Sequence, residues 1–369
     1  MDRIGVVLLH FPPDCRPQSS EPLGAAGGFS GAQFWRQDTP RGRLCLRCWP
    51  PEHPSVERLR FIHGVLGHVA QAGFTKLPLP IRATDGTSYV ESSGRLWQLE
   101  PWIEGEADFR RRPTRGRLAA ALEALAEFHA AAATFDTPDA LAGRAEIEPL
   151  GNLDLAPPGP LPGGALLPPV GPAPAIVERR RQLARRLGGE AAVLRSAVAA
   201  DRTDSGLGSL VPLARSVLEA LPRIGPALHD ELAAVESLRV PLIPAIRDIW
   251  HDHVLFAGDR VVGLVDFGAL RVDTVAADVA RLLGSLVGDD RVLRNEGLTA
   301  YTSVRPLSGS EQRLIDPLDQ SGVLLGGLNW IDWLFVERRQ FADMERVAQR
   351  LRQIVARLES MVPRPAILR

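Results

Sequence analysis

The chain has 369 residues, enough for two domains or lobes. Apolar residues make up 45% and charged residues 24%, so wholesale disorder is excluded and two cores can be built. A net charge of -1 argues against a globally basic nucleic-acid binder and against an acidic tail protein.

Glycine (34) and proline (31) are unevenly spread, so some loops are expected to be long. Residues 1–22 hold Pro12, Pro13, Pro17 and Pro22 and are expected to be poorly ordered. Gly24, Gly27, Gly28 and Gly31 form a glycine-rich turn. The alternation through Leu44-Cys45-Leu46-Arg47-Cys48 then reads as a strand in a hairpin. Ser55 caps a helix to about Ala72 with Leu59, Ile62, Val65, Leu66 and Val69 on its apolar face, and Gly73 ends it. Asp85-Gly86 and Ser93-Gly94 flank two short strands, 88–91 and 95–99. Residues 100–105 read as a connector.

From there the pattern is helical. Helices are expected over 116–135, 176–199, 208–221 and 224–237, with a strand-loop-strand segment over 241–267 and helices to the end. Residues 136–175 are Pro/Gly-rich and read as a long loop. The architecture is α+β: a small β-rich lobe over 23–103, then a larger, mostly helical lobe over 104–369.

Several features read as bland. Cys15, Cys45 and Cys48 make no disulfide framework and fit a reducing cytoplasm. The CxxC pair lacks partners for zinc and reads as core. No signal peptide or apolar membrane span is visible, so no membrane partner is expected. Arg110-Arg111-Arg112 and Arg179-Arg180-Arg181 read as solvated faces. Trp330 and Trp333 read as core in preference to cleft lining, and His129 as structural. The only lysine is Lys76, so any role that normally needs a lysine falls to arginine or to Lys76.

The chemistry concentrates in Arg247-Asp248-Ile249-Trp250-His251-Asp252-His253 and, after a tight turn, Val265-Asp266-Phe267-Gly268. A carboxylate at the end of an apolar strand suits Mg²⁺, a hard cation that prefers oxygen. A second carboxylate in the preceding loop can accept or orient a hydroxyl proton. The pattern resembles the aminoglycoside phosphotransferase family, also called the phosphotransferase enzyme family. That family carries H-G-D-x-x-x-x-N, then a hydrophobic residue followed by D-F/W. This chain departs from it with Ile246 for His and His253 for Asn.

The resemblance implies a bilobal protein-kinase-like fold and an ATP-dependent small-molecule kinase that uses Mg²⁺. It assigns catalysis to Asp248 with Arg247, and the metal to Asp266 with His253. Asp278 becomes an outer support of the metal or a helix N-cap. Gly27, Gly28, Ser30 and Gly31 take the phosphate-covering turn, and Arg47 takes the place of the phosphate-pairing lysine, with Glu57 as its partner. Glu100 and Ile103 fall at the hinge that meets adenine. The acceptor is expected to be a small molecule offering a hydroxyl, or less often an amine, not a nucleic acid. Two other readings stay open. One is a pseudokinase acting as a nucleotide-sensing or protein-binding module. The other is a histidine-ligated metallohydrolase, suggested by His251 and His253.

Overall fold

The structure is a computed structural model and describes residues 3–24, 31–136, 168–201, 206–341 and 343–361. In chain order the elements are α1 (Arg3–Leu8), β1 (Ser19–Gly24), β2 (Gln33–Thr39), β3 (Gly42–Cys48), α2 (Val56–Gln71), β4 (Val90–Ser92), β5 (Arg95–Pro101) and α3 (Arg115–Ala132). Next come β6 (Val170–Pro172), α4 (Pro174–Arg185), α5 (Ala191–Ala200), α6 (Val211–Val235), β7 (Arg239–Pro241), β8 (Ile243–Ala245), β9 (Val254–Ala257), β10 (Arg260–Leu264) and β11 (Arg271–Asp273). Helices α7 (Ala276–Val287), α8 (Arg291–Val304), α9 (Gly309–Ile331) and α10 (Met344–Met361) complete the chain. None of the described helices is long and apolar enough to cross a membrane.

The chain divides into two compact units, and the division does not fall at residue 103. The first unit takes residues 1–168, 243–272 and 298–305, so the segment bearing Asp248 and Asp266 belongs with the N-terminal sheet. The reason is local. The connector after β5 lies along the β9–β10 hairpin, where Glu106 and Phe256 exchange both backbone hydrogen bonds, at 2.9 and 3.0 Å. The approach is close enough that a Cβ on Gly263 would sit 2.7 Å from Ile103 Cδ1.

The sheet of this unit is antiparallel, in the order β1-β2-β3-β5-β4. Its two faces follow from strand alternation. Leu44, Leu46, Cys48, Trp97 and Leu99 share one face and form a buried cluster with Val7, Leu8, Phe11 and Cys15. Residues 1–22, expected to be poorly ordered, therefore include a helix, a strand and part of this core. An apolar sheet face must be covered, and these residues cover it; each fully buried Leu, Val or Phe is worth about 2 kcal/mol. Cys45 and Cys48 are both buried, Cys48 within this cluster.

The second unit takes residues 169–242, 273–297 and 306–369, and its core lies where α9 packs with α6, α7 and α10. Sequence expectations change here. The helix expected over 176–199 breaks at Gly188-Gly189 into α4 and α5. The two helices expected around Pro222 are one, α6, with Pro222 and Pro226 inside it. Leu218, Leu221, Ile224 and Leu228 are buried along α6, and that packing outweighs the local cost of the prolines. Arg179 is not simply solvated, since it donates to the Leu318 carbonyl, and Arg180 pairs with Glu236. Trp330 is core and meets Trp333 edge-on at 5.2 Å. The long loop expected over 136–175 lies mostly outside the described residues.

Candidate active site

The inner face of the sheet is polar, and strand register makes it so. Phe34, Arg47 and Gln98 are directly opposed across β2, β3 and β5 and therefore share a face. Trp49 lies two residues beyond Arg47 on the same side. Arg47 is 4% exposed. Its Cζ lies 3.4 Å from the centre of the Trp49 ring and 5.0 Å from that of Phe34, and its Nη2 donates to Asp266 Oδ1 at 3.0 Å. Stacking of this kind suits a planar guanidinium and not a lysine. The lone lysine, Lys76, is elsewhere in this unit and pairs with Glu127.

Asp266 is held in the left-handed backbone region, φ +62°, a costly conformation for a residue other than glycine. Its side chain is 35% exposed. Burial pushes the carboxyl up, but the charges and hydrogen bonds beside it, the Arg47 guanidinium foremost, outweigh it and hold the group below its usual value. An ionised carboxylate with open surface is a fitting Mg²⁺ ligand, because Mg²⁺ typically takes one or two carboxylates and completes its shell with phosphates and water.

Arg247 is also left-handed, φ +69°, where the family pattern has glycine. It stands directly before Asp248. Arg58, in the first turn of α2, is pushed down to about 10 by burial and by the like charges of Arg271 and Arg247. Asp248 is half-buried.

The turn from His251 to His253 joins this loop to β9. Here the His253 Nδ1 bonds the Asp248 carbonyl at 2.9 Å, and the Trp250 indole N–H donates to His253 Nε2 at 2.7 Å. His253 Nε2 lies 3.6 Å from Asp266 Oδ2, and the His253 carbonyl accepts from the Val265 N–H at 3.0 Å. Asp248, His253 and Asp266 are thus brought together. Both ring nitrogens of His253 are already engaged, so the expectation that it ligates the metal does not match its hydrogen bonds. No group of three or more His, Cys, Asp or Glu side chains is placed to hold a metal among the described residues, which leaves the metallohydrolase reading without its third ligand.

Glu57 is the second correction. It does not partner Arg47. It bonds its own backbone N–H and the Ser55 hydroxyl at the start of α2, which holds its carboxyl below the usual range. An acidic residue in a first turn is served by the helix end itself. Gly27, Gly28 and Ser30 lie outside the described residues, and Gly31 adopts φ +79°, a glycine conformation. Ile103 packs on Gly263. Burial pushes the Glu100 carboxyl up to about 7, against the pull of Arg47 and of the Gln98 hydrogen bond. Asp278 lies buried in the first turn of α7, in the second unit; Val275, not Asp278, is the N-cap.

Three residues that sequence reasoning passed over complete the polar face. Gln98 Oε1 accepts from Trp49 Nε1 at 2.9 Å and lies 3.3 Å from His63 Nε2, while His63 Nδ1 meets the Ser88 hydroxyl at 2.7 Å. Burial pushes His63 down to about 4, so this link from α2 to the sheet is neutral. The available signal was a polar residue at position 98 inside an apolar strand, directly opposite Arg47.

The sequence profile of the phosphotransferase enzyme family matches residues 23–311. The chain is 28% identical to a homoserine kinase of Brucella anthropi over 309 residues, covering 81% of this chain and 76% of that one. It is 26% identical to a homoserine kinase of Mesorhizobium japonicum over 342 residues, covering 90% and 86%. Its fold matches the crystal structure of a spectinomycin phosphotransferase in complex with ADP and spectinomycin at a TM-score of 0.62 and 9% identity, covering 96% and 95%. With this protein-kinase-like fold and a profile match over most of its length, the chain belongs to the phosphotransferase enzyme family and is a small-molecule kinase.

Proposed function

We propose that the protein transfers the γ-phosphate of ATP to a hydroxyl of a small metabolite. The observation that carries this reading is the tie between Asp248 and Asp266: His253 bonds the Asp248 carbonyl and faces the Asp266 carboxylate. His253 thus links the backbone of Asp248 to the side chain of Asp266, 18 positions further along the chain.

Asp248 orients the acceptor hydroxyl and takes its proton as the new O–P bond forms. The bond from the γ-phosphorus to the bridging oxygen breaks and ADP leaves. Such catalysis is mostly positioning and charge stabilisation. Asp266 would hold Mg²⁺, which neutralises phosphate charge when bound. Arg47 keeps Asp266 ionised and offers guanidinium N–H groups to phosphate oxygens, while Gly31 and the residues before it would cover them. Glu100 and Ile103 border the adenine position. The homoserine kinase names of the relatives make a hydroxylated amino acid the first acceptor class to screen.

The test is a thermal-shift titration with ATP, with and without Mg²⁺, on wild type and Asp266→Ala. At a hundredfold excess over Kd, a ligand stabilises by about 2.7 kcal/mol. A Mg²⁺-dependent shift that Asp266→Ala abolishes is expected, followed by ADP release with homoserine or a related acceptor. A Mg²⁺-ATP shift without turnover on any acceptor would return the reading to a nucleotide-sensing module. No shift at all would overturn it.

A further inference from the structure

We infer that Trp250 is a positioning residue that keeps His253 out of the metal's coordination sphere and so sets the metal preference of the site. The inference rests on the proposal that Asp266 holds the cation.

An indole N–H can only donate, so His253 Nε2, 2.7 Å from Trp250 Nε1, is the acceptor and carries a lone pair. A backbone carbonyl can only accept, so His253 Nδ1, 2.9 Å from the Asp248 oxygen, carries the hydrogen. The two bonds together select one neutral tautomer. The local fold imposes the arrangement: the His253 N–H bonds the Trp250 carbonyl at 2.8 Å, closing a tight turn that places the two side chains on one side. Their rings meet edge-on, at 86°.

The Nε2 atom lies 3.6 Å from Asp266 Oδ2. A neutral imidazole nitrogen beside a carboxylate oxygen is a donor pair that favours Zn²⁺ and other first-row transition ions over Mg²⁺. Here the indole N–H occupies that lone pair. What remains for a cation is carboxylate oxygen, which suits Mg²⁺. His253 then serves as a strut between the loop of Asp248 and the strand end of Asp266, and Trp250 keeps it in that role.

The test measures binding of ZnCl₂, MnCl₂ and MgCl₂ by calorimetry on nucleotide-free wild type, Trp250→Phe, His253→Gln and the double variant. Trp250→Phe keeps an aromatic ring and deletes the N–H. It is expected to bind Zn²⁺ at least about tenfold more tightly than wild type, or about 1.4 kcal/mol, with Mg²⁺ binding little changed. The gain should vanish in the double variant. Equal Zn²⁺ affinity in Trp250→Phe and wild type would overturn the inference. So would wild-type Zn²⁺ binding that His253→Gln already weakens. The tautomer gives a second readout that needs no variant: the imidazole ¹⁵N spectrum of wild type should show a protonated Nδ1 and a bare Nε2, and the opposite pattern would overturn the inference. Mg²⁺-dependent ATP binding by wild type is measured alongside; its failure would remove the phosphotransfer reading while the zinc comparison stands by itself.

Discussion

Replacing Arg47 with methionine should move the acid limb of nucleotide binding upward. Arg47 Nη2 stands 3.0 Å from Asp266 Oδ1 and is the main positive charge beside that carboxylate. A unit charge pair at that separation and an effective dielectric of about 20 is worth about 5 kcal/mol. The carboxylate is a third open to water, so screening leaves about 2 kcal/mol, and removing the charge raises the Asp266 pKa. In wild type the Asp266 pKa is depressed, so its contribution to stability is present above the unfolded-state value and is lost as pH falls through the lower, folded-state value. In Arg47→Met burial acts without its main counterweight, so that stabilisation shrinks and its loss begins at a higher pH. The assay is Mg²⁺-dependent binding of a non-hydrolysable ATP analogue by calorimetry from about pH 4.5 to 8. Urea unfolding at each pH controls for stability. Arg47 also touches nucleotide in this reading, so overall affinity drops; the diagnostic is the shift of the acid limb. An acid limb at the wild-type position would refute the claim that Arg47 keeps Asp266 ionised.

Other consequences are equally specific. Asp248→Asn should lower kcat by about 10²- to 10⁴-fold while leaving ATP affinity near wild type, as turnover and calorimetry will show. Phe11 is 1% exposed, so Phe11→Ala should cost about 3–5 kcal/mol in urea unfolding if the N-terminal segment is core. His63 titrates near 4 when folded, against an ordinary 6.5, because burial disfavours its charged form. Its neutral form is accommodated above that ordinary value, and stability falls as pH drops from there toward 4, by about 2–3 kcal/mol. His63→Gln should flatten that slope in pH-dependent urea titrations.

What the sequence discloses here follows from how local each constraint is. Asp248 and Asp266 are legible because a carboxylate loop, a tight turn and a carboxylate strand end are close along the chain. Arg47 is legible by its place in an alternating strand. Its true partner is not, because Asp266 lies 219 residues away, whereas Glu57 is suggested only by the resemblance, on the helix that follows. Trp49, His63 and Gln98 become a network only through cross-strand register, which no single strand encodes. The core role of Val7, Leu8 and Phe11 depends on a sheet face built later in the chain, so the proline-studded residues 1–22 read as poorly ordered. Pro222 and Pro226 read as a helix break for the same reason: the packing that keeps α6 whole is tertiary.

The cover over the outer sheet face also orders events during synthesis. Arg3 bonds the Ser93 carbonyl, 90 residues downstream, and Val7, Leu8 and Phe11 share a core with Trp97 and Leu99. The apolar residues of α1 and Phe11 must therefore wait for β5 before they are sheltered from water. At about 5–20 residues per second that interval lasts several seconds or more. During that time a sticky amphipathic segment is on offer to chaperones or to other nascent chains, and the first unit cannot close until the strand that feeds its active site has emerged.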